Sequence, residues 1–229
     1  MDKYIGVLGG LGYRGTMLAY EKLNKRYQNK VGEGHTCPIR LLSIDFIEIN
    51  ELLPFRISEA ADKLLPFLMD IDGQEVSCTI MINNTLHQAL DLLKDELLME
   101  NPLGHIGLLL TEYLKERKAR KVMLIGSAYT MSSGYFDAFV PDDVEIIKAS
   151  TSIQEELETL RKTFYTTTDN TLSKQCYNRI MTRYTDIDVF IITCTEHSLA
   201  FSKWTDSARW VDTMDLQCNW AVERLLSTP

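Results

Sequence analysis

Short apolar runs of strand composition alternate along the chain with longer segments whose apolar residues recur at helical spacing. Residues 4–8 (Y-I-G-V-L) are expected to form a buried strand, and the turn Gly9-Gly10-Leu11-Gly12-Tyr13-Arg14-Gly15 leads into an amphipathic helix over about 16–31. Residues 39–46 read as a second strand and 56–69 as a helix. A third strand, 76–82, ends in Asn83-Asn84-Thr85-Leu86-His87 and runs on into a helix reaching about residue 99. Strand composition resumes at 105–110, before a charged helical end at 116–120. Further strands are expected at 121–126, 144–149, 189–192 and 209–211. Helices are expected at 153–164, 172–184 and 216–226, with polar stops at 166–170.

This alternation implies an α/β chain with parallel sheets covered on both faces. No linker is rich enough in Pro, Gly or Ser to separate independent domains. There is a short internal echo: Ile82-Asn83-Asn84-Thr85-Leu86-His87 matches Ile192-Thr193-Cys194-Thr195-Glu196-His197 at Ile, Thr and His.

Cys194 is the chemical focus of this pattern, because the apolar run Val189-Phe190-Ile191-Ile192 stops at Thr193-Cys194-Thr195-Glu196-His197. Ligands of open α/β sheets bind outside the carboxyl ends of the strands, and a helix N-terminus there lowers a thiol's pKa. The bland alternative is a capping box, Thr193 with Glu196, around a small buried cysteine. Thr85 with Gln88 fits a second such box. His87, as a lone histidine, is more readily structural than catalytic. Gly10 to Gly15 spells G-x-G-x-x-G, which suits an anion at a helix N-terminus. A dinucleotide reading also wants an acid about 20 residues further on, and Asp45 comes late for it.

Length and composition narrow the classes. The chain has 229 residues, 45% of them hydrophobic, enough for one larger domain or two small lobes. Its five cysteines are spread without a CxxC pair, so neither a disulfide framework nor a metal site is implied. His35 with Cys37 finds no second ligand pair. No signal-peptide pattern opens the chain and no apolar run suits a membrane span. A cytoplasmic protein of a reducing compartment is expected, and Asn83-Asn84-Thr85 is then a chance glycosylation sequon. A net charge of −8 argues against nucleic acid as a partner, and an anionic ligand would need a few placed cations.

Taken together, Gly9 to Gly12, Ser43-Ile44-Asp45-Phe46, Asn84-Thr85-Leu86-His87, Gly126-Ser127-Ala128-Tyr129-Thr130-Met131, Cys194-Thr195-Glu196 and Val211-Asp212-Thr213 resemble the aspartate/glutamate racemase family. The resemblance implies two pseudo-symmetric Rossmann-like lobes with parallel sheets and an active site between them. The first lobe would be 1–103, with 212–229 returning to it, and the second 104–211. It further implies no pyridoxal phosphate, metal or other cofactor, a small anionic amino acid or dicarboxylic acid as ligand, and a homodimer.

Racemisation removes a proton from one face of an α-carbon and delivers one to the other, so two acid–base groups flank it. In the family these are usually cysteines in C-N-T and C-T-E segments. Cys194 supplies the second, whereas Asn83 stands in place of the first, and a carboxamide does not exchange protons near neutral pH. Three readings follow. The first is an atypical racemase using Cys194 on one face, with water, His87 or another group held by Asn83 on the other. The second is a single-cysteine decarboxylase or isomerase of a small dicarboxylic acid, and the third a silent binder of an acidic ligand. By resemblance, Asn84, Thr85, Thr130, Thr195 and Glu196 would bind substrate, and Arg56 its distal carboxylate, with Arg14 a lesser candidate. His197, three positions after Cys194, would activate the thiol as an imidazolium.

Overall fold

The computed structural model describes residues 4–93, 96–166, 170–204 and 208–227, leaving aside the side chains of residues 165 and 166. The expected N-terminal residues 1–3 and most of the polar stop at 166–170 lie outside that set. The chain divides into two compact α/β units, one formed by residues 1–106 with 214–229, the other by 107–213.

In the first unit, β1 (Tyr4–Gly9) lies between β2 (Ile39–Ser43) and β3 (Val76–Met81), and both pairings are parallel. Side chains alternate across a strand. Ile5, Val7 and Ile80 therefore face one core, against Ala19 and Leu23 of α1 (Tyr13–Val31) and Cys218, Ala221 and Val222 of α10 (Thr213–Ser227). Leu8 and Met81 face the other, with Leu64 and Leu68 of α3 (Ile57–Asp72) and Ala89 of α4 (His87–Leu92). Burying each large aliphatic contributes about 1.5–3 kcal/mol. A four-residue helix, α2 (Ile47–Asn50), follows β2.

The second unit has the parallel order β5 (Glu145–Ile146), β4 (Lys121–Ile125), β6 (Val189–Ile192), β7 (Trp210–Asp212). One face packs on α7 (Thr151–Thr166), α8 (Asn170–Arg183) and α9 (Thr195–Phe201) through Leu157, Leu160, Ile180, Phe190, Phe201 and Trp210. Before β4 runs α5 (Ile106–Arg117), and after it α6 (Ala128–Ser132) and a 3-10 turn, Tyr135–Phe139.

The structure departs from the sequence pattern in three places. Residues 105–110 are not a strand but the start of α5: Ile106, Leu110 and Leu114 are buried at intervals of four while Leu108 is exposed. A continuous apolar run does not reveal which period it obeys. The helix expected to reach residue 99 stops at Leu92, and the chain beyond is held by buried Asp72, whose carboxylate accepts from the backbone N–H groups of Glu100 and Asn101 at 2.7 and 3.1 Å. β5 has two residues rather than six, because only Glu145 and Ile146 pair with β4.

The two histidines singled out in the sequence are core residues. His87 and His197 are both fully buried. His87 Nε2 lies 3.3 Å from the Met81 carbonyl, and His197 Nε2 3.0 Å from that of Leu157, while Nδ1 of each is buried without a partner. Burial holds the pKa of His87 well below its ordinary value and lowers that of His197 to about 4. His197 is therefore neutral near pH 7, which corrects the expectation of an activating imidazolium. His87, sealed in the core, does not offer itself as an exchangeable base either.

Two predictions follow from this packing. An unfolded chain protonates its histidines near pH 6.5 while the folded one resists. The stabilisation is full above about 6.5 and is lost as pH falls toward 4, amounting for His197 to about 3 kcal/mol. The urea midpoint should fall between pH 7 and 5, and His197→Gln should flatten that dependence, His87 accounting for what remains. Gly10 has φ +81°, and a Cβ there would stand 2.1 Å from the Ile44 carbonyl oxygen. Gly10→Ala should cost about 2 kcal/mol or more, against about 1 kcal/mol for Gly34→Ala, where φ is +84° with open space around it; urea unfolding compares them.

Candidate active site

In each unit the polar side chains cluster at the carboxyl ends of the strands. In the first, Asn83 follows β3 and its amide is engaged in both directions. Its Nδ2 donates to the Leu11 carbonyl at 3.4 Å and its Oδ1 accepts from the Leu86 N–H at 3.1 Å. Asn83, not Thr85, therefore caps the turn into α4, as short amide side chains do. Asn84 is buried in the same turn and Thr85 partly exposed.

The glycine turn beside Asn83 is shaped by its own chain. Gly10 N–H donates to Thr16 Oγ1 at 3.0 Å, and the close approach of Ile44 is what requires glycine. Asp45 is likewise spent locally, accepting from the Ile47 N–H at 3.1 Å. These contacts account for Gly10 and Asp45 within the chain's own folding. Arg56, expected to hold a carboxylate, sits at the start of α3, more than half exposed, with Glu59 at 3.4 Å and the Glu51 carbonyl at 3.5 Å. That is the geometry of a solvated helix start. Arg14, partly exposed in the first turn of α1, donates through Nε to Tyr13 Oη at 3.1 Å.

In the second unit β4 and β6 end side by side. Thr193 N–H donates to the Ile125 carbonyl at 2.9 Å, and a Cβ on Gly126 would stand 2.3 Å from Thr193 Oγ1. Only glycine lets the two strand ends close so tightly. Ser127 caps α6, its Oγ accepting from Thr130 N–H at 3.1 Å and lying 2.8 Å from Thr130 Oγ1.

Cys194 is the N-cap residue of α9, in extended conformation. The capping box expected of Thr193 and Glu196 is therefore not formed, and the Glu196 carboxylate turns instead to its neighbours. Cys194 Sγ–H donates to Glu196 Oε2 at 2.9 Å, and Thr195 Oγ1 donates to the same oxygen at 3.3 Å. Behind the thiol, Ser198 Oγ lies 3.3 Å from the Cys194 carbonyl and 2.9 Å from Asp212 Oδ1.

Cys37, Cys78, Cys176 and Cys218 are buried, and burial pushes the first three thiols up to about 12. Cys194 is partly exposed. Its thiol too is held well above the ordinary value, by desolvation first and then by the charge and hydrogen bond of Glu196, with Arg161 pulling the other way. The lowering expected from a helix N-terminus is thus reversed, by desolvation first and then by a carboxylate two residues on.

Sequence reasoning missed Arg161 and Glu158 of α7. Arg161 donates to both Glu158 oxygens, at 3.0 and 2.7 Å, and Glu158 Oε2 also accepts from Ala128 N–H at 3.3 Å. The charge of Arg161 acts on both Cys194 and Glu196. In sequence the pair looks like an ordinary i,i+3 ion pair on a helix surface, and only the packing of α7 on α9 brings it to the thiol. Among the described residues, no group of three or more His, Cys, Asp or Glu side chains is placed to hold a metal ion, and no helix is long and apolar enough to cross a membrane.

Comparison with known proteins places this arrangement in a family. The chain has the fold of an aspartate racemase homologue from Pyrococcus horikoshii, at 20% identity and TM-score 0.81 over 99% of this chain and 100% of that one. It is similar to the aspartate racemase of Picrophilus torridus, at 16% identity and TM-score 0.80 over 97% and 94%. A glutamate racemase from Francisella tularensis, solved in complex with D-glutamate, matches at 15% identity and TM-score 0.62 over 98% and 81%. The family model described as Asp/Glu/Hydantoin racemase matches residues 8–221, and the chain belongs to that family.

Proposed function

We propose that the protein is a cofactor-independent racemase of an acidic amino acid of the aspartate or glutamate type. Cys194 works on one face of the α-carbon, and Asn83 stands where relatives usually keep the opposing thiol. The observation that carries this reading is the setting of Cys194. Alone among the five cysteines it lies outside the core, at the end of a buried strand, with its proton directed onto a carboxylate. A thiol so placed can give a proton to carbon and, once deprotonated, take one. Asn84, Thr85, Thr130 and Thr195 supply polar groups for the α-carboxylate and amine. For the distal carboxylate, Arg161 joins Arg56 as a candidate cation, because its charge reaches the thiol. A cytoplasmic homodimer belongs to the same proposal.

One observation favours a second reading. Both ends of the Asn83 amide are used in holding its turn, so Asn83 has no proton to move and little freedom to position another group. Chemistry confined to one face would then result: exchange of the α-proton without inversion, or decarboxylation of a small dicarboxylic acid followed by protonation from Cys194.

Incubation with L- and D-Asp and L- and D-Glu in heavy water separates these readings. The racemase reading expects the α-proton signal to fade while the opposite enantiomer appears. Cys194→Ser should slow that by about 10²-fold or more, with the melting temperature kept. Exchange with retained chirality would establish the one-faced reading instead. No exchange with any of the four acids, together with a ligand-induced rise in melting temperature, would mark a binding protein and overturn both.

A further inference from the structure

We infer that Glu196 is the proton partner of Cys194: its carboxylate receives the thiol proton before Sγ takes the α-hydrogen of the substrate, and holds it until carbon is reprotonated. This rests on the racemase reading above and replaces the substrate-binding role expected for Glu196.

The geometry is already that of a proton-transfer pair. The S–H points at Oε2 from 2.9 Å, so transfer requires no movement of heavy atoms, and the second donor to that oxygen, Thr195 Oγ1, fixes the carboxylate in place. Among the other charged and titratable groups of the described residues near the thiol, none competes for the role. Arg161 and Glu158, facing the thiol from α7, are joined to each other by two hydrogen bonds. His197 is turned to the Leu157 carbonyl, and Asp212, from β7, accepts from Ser198. Among the described residues, Glu196 is the carboxylate bonded to Sγ.

The S–H bond breaks and an O–H bond forms on Glu196, leaving a thiolate. The thiolate takes the α-hydrogen as a proton, and the C–H electron pair stays with the substrate, spread into its α-carboxylate. Protonation of the carbon then draws on Sγ–H from this face or on the group serving the other face. When Sγ has given up its proton, Glu196 returns the one it held; when the other face has supplied the proton, Sγ–H is already restored, Glu196 releases its proton to solvent, and the other group regains one from solvent. No electrons leave the system, and no co-reactant is consumed.

The test is Glu196→Gln, which keeps the size and hydrogen bonding of the side chain but accepts no proton, read in two ways. The first follows alkylation of Cys194 by iodoacetamide against pH, with Cys194→Ser as the blank. Removing the neighbouring negative charge should move the profile to lower pH by about one unit. The second is turnover: kcat should fall about 10²-fold with KM nearly unchanged, and Glu196→Asp, which retains a carboxylate, should recover part of it. The variant would thus carry more thiolate and work more slowly. An unmoved alkylation profile overturns the inference even if the wild type racemises, and so does a rise in KM with kcat preserved, which would return Glu196 to substrate binding. A wild type that exchanges no α-proton removes the racemase reading, whatever the alkylation profile does. The alkylation arm, needing no substrate, shows which of the two has failed.

Discussion

Burial of β1, β3, β4, β6 and β7 on both faces is the constraint from which the rest of this protein follows. In β6, Val189, Phe190, Ile191 and Ile192 are all at most 1% exposed, so no polar side chain fits anywhere along the strand. The first positions free to carry chemistry are those just past its carboxyl end, where the backbone leaves the sheet and a helix begins. Cys194 occupies that place after β6, and Asn83 follows β3. The same crowding dictates the glycines, since Gly10 admits the backbone of Ile44 and Gly126 admits Thr193.

Electrostatics at Cys194 run against the usual picture of a reactive cysteine. A helix N-terminus favours the thiolate, yet the desolvation of Sγ and the negative charge of Glu196 both favour the thiol, and they outweigh Arg161. The resting group is therefore an acid with its base beside it, not a preformed nucleophile. That suits moving a proton to and from carbon better than attack on a carbonyl, which needs a standing thiolate. Arg161, bound to Glu158 and reaching Glu196, leaves the local charge only moderately negative within a chain of net charge −8.

Most of the strand-and-helix order was legible because buried parallel strands and amphipathic helices have different periods. It failed at α5, where G-L-L-L is apolar under either period. It also failed at β5, whose length is set by pairing that local sequence does not encode. At the site, the strand-to-helix position of Cys194 could be read from where the apolar run stops. The roles of neighbours could not. Glu196 looked like half of a capping box, and Arg161 lay 33 positions away in a helix of ordinary surface composition. His197 looked like an activator from its spacing, yet the imidazole turns into the core toward Leu157.

The internal echo gains meaning from those buried histidines. His87 and His197 close the two matching segments, each buried with Nε2 on a backbone carbonyl and Nδ1 enclosed, the carbonyl being that of Met81 at the end of β3 in one and that of Leu157 in α7 in the other. Aligning the histidines aligns what precedes them. Thr85 then corresponds to Thr195, Asn84 to Cys194, and fully buried Leu86 to Glu196. Whether Asn83 or Asn84 is aligned with Cys194, the first segment lacks the carboxylate as well as the cysteine. The C-N-T segment usual in relatives likewise has Thr, not a carboxylate, two positions after its cysteine, so a carboxylate at that distance accompanies the thiol in the second segment alone.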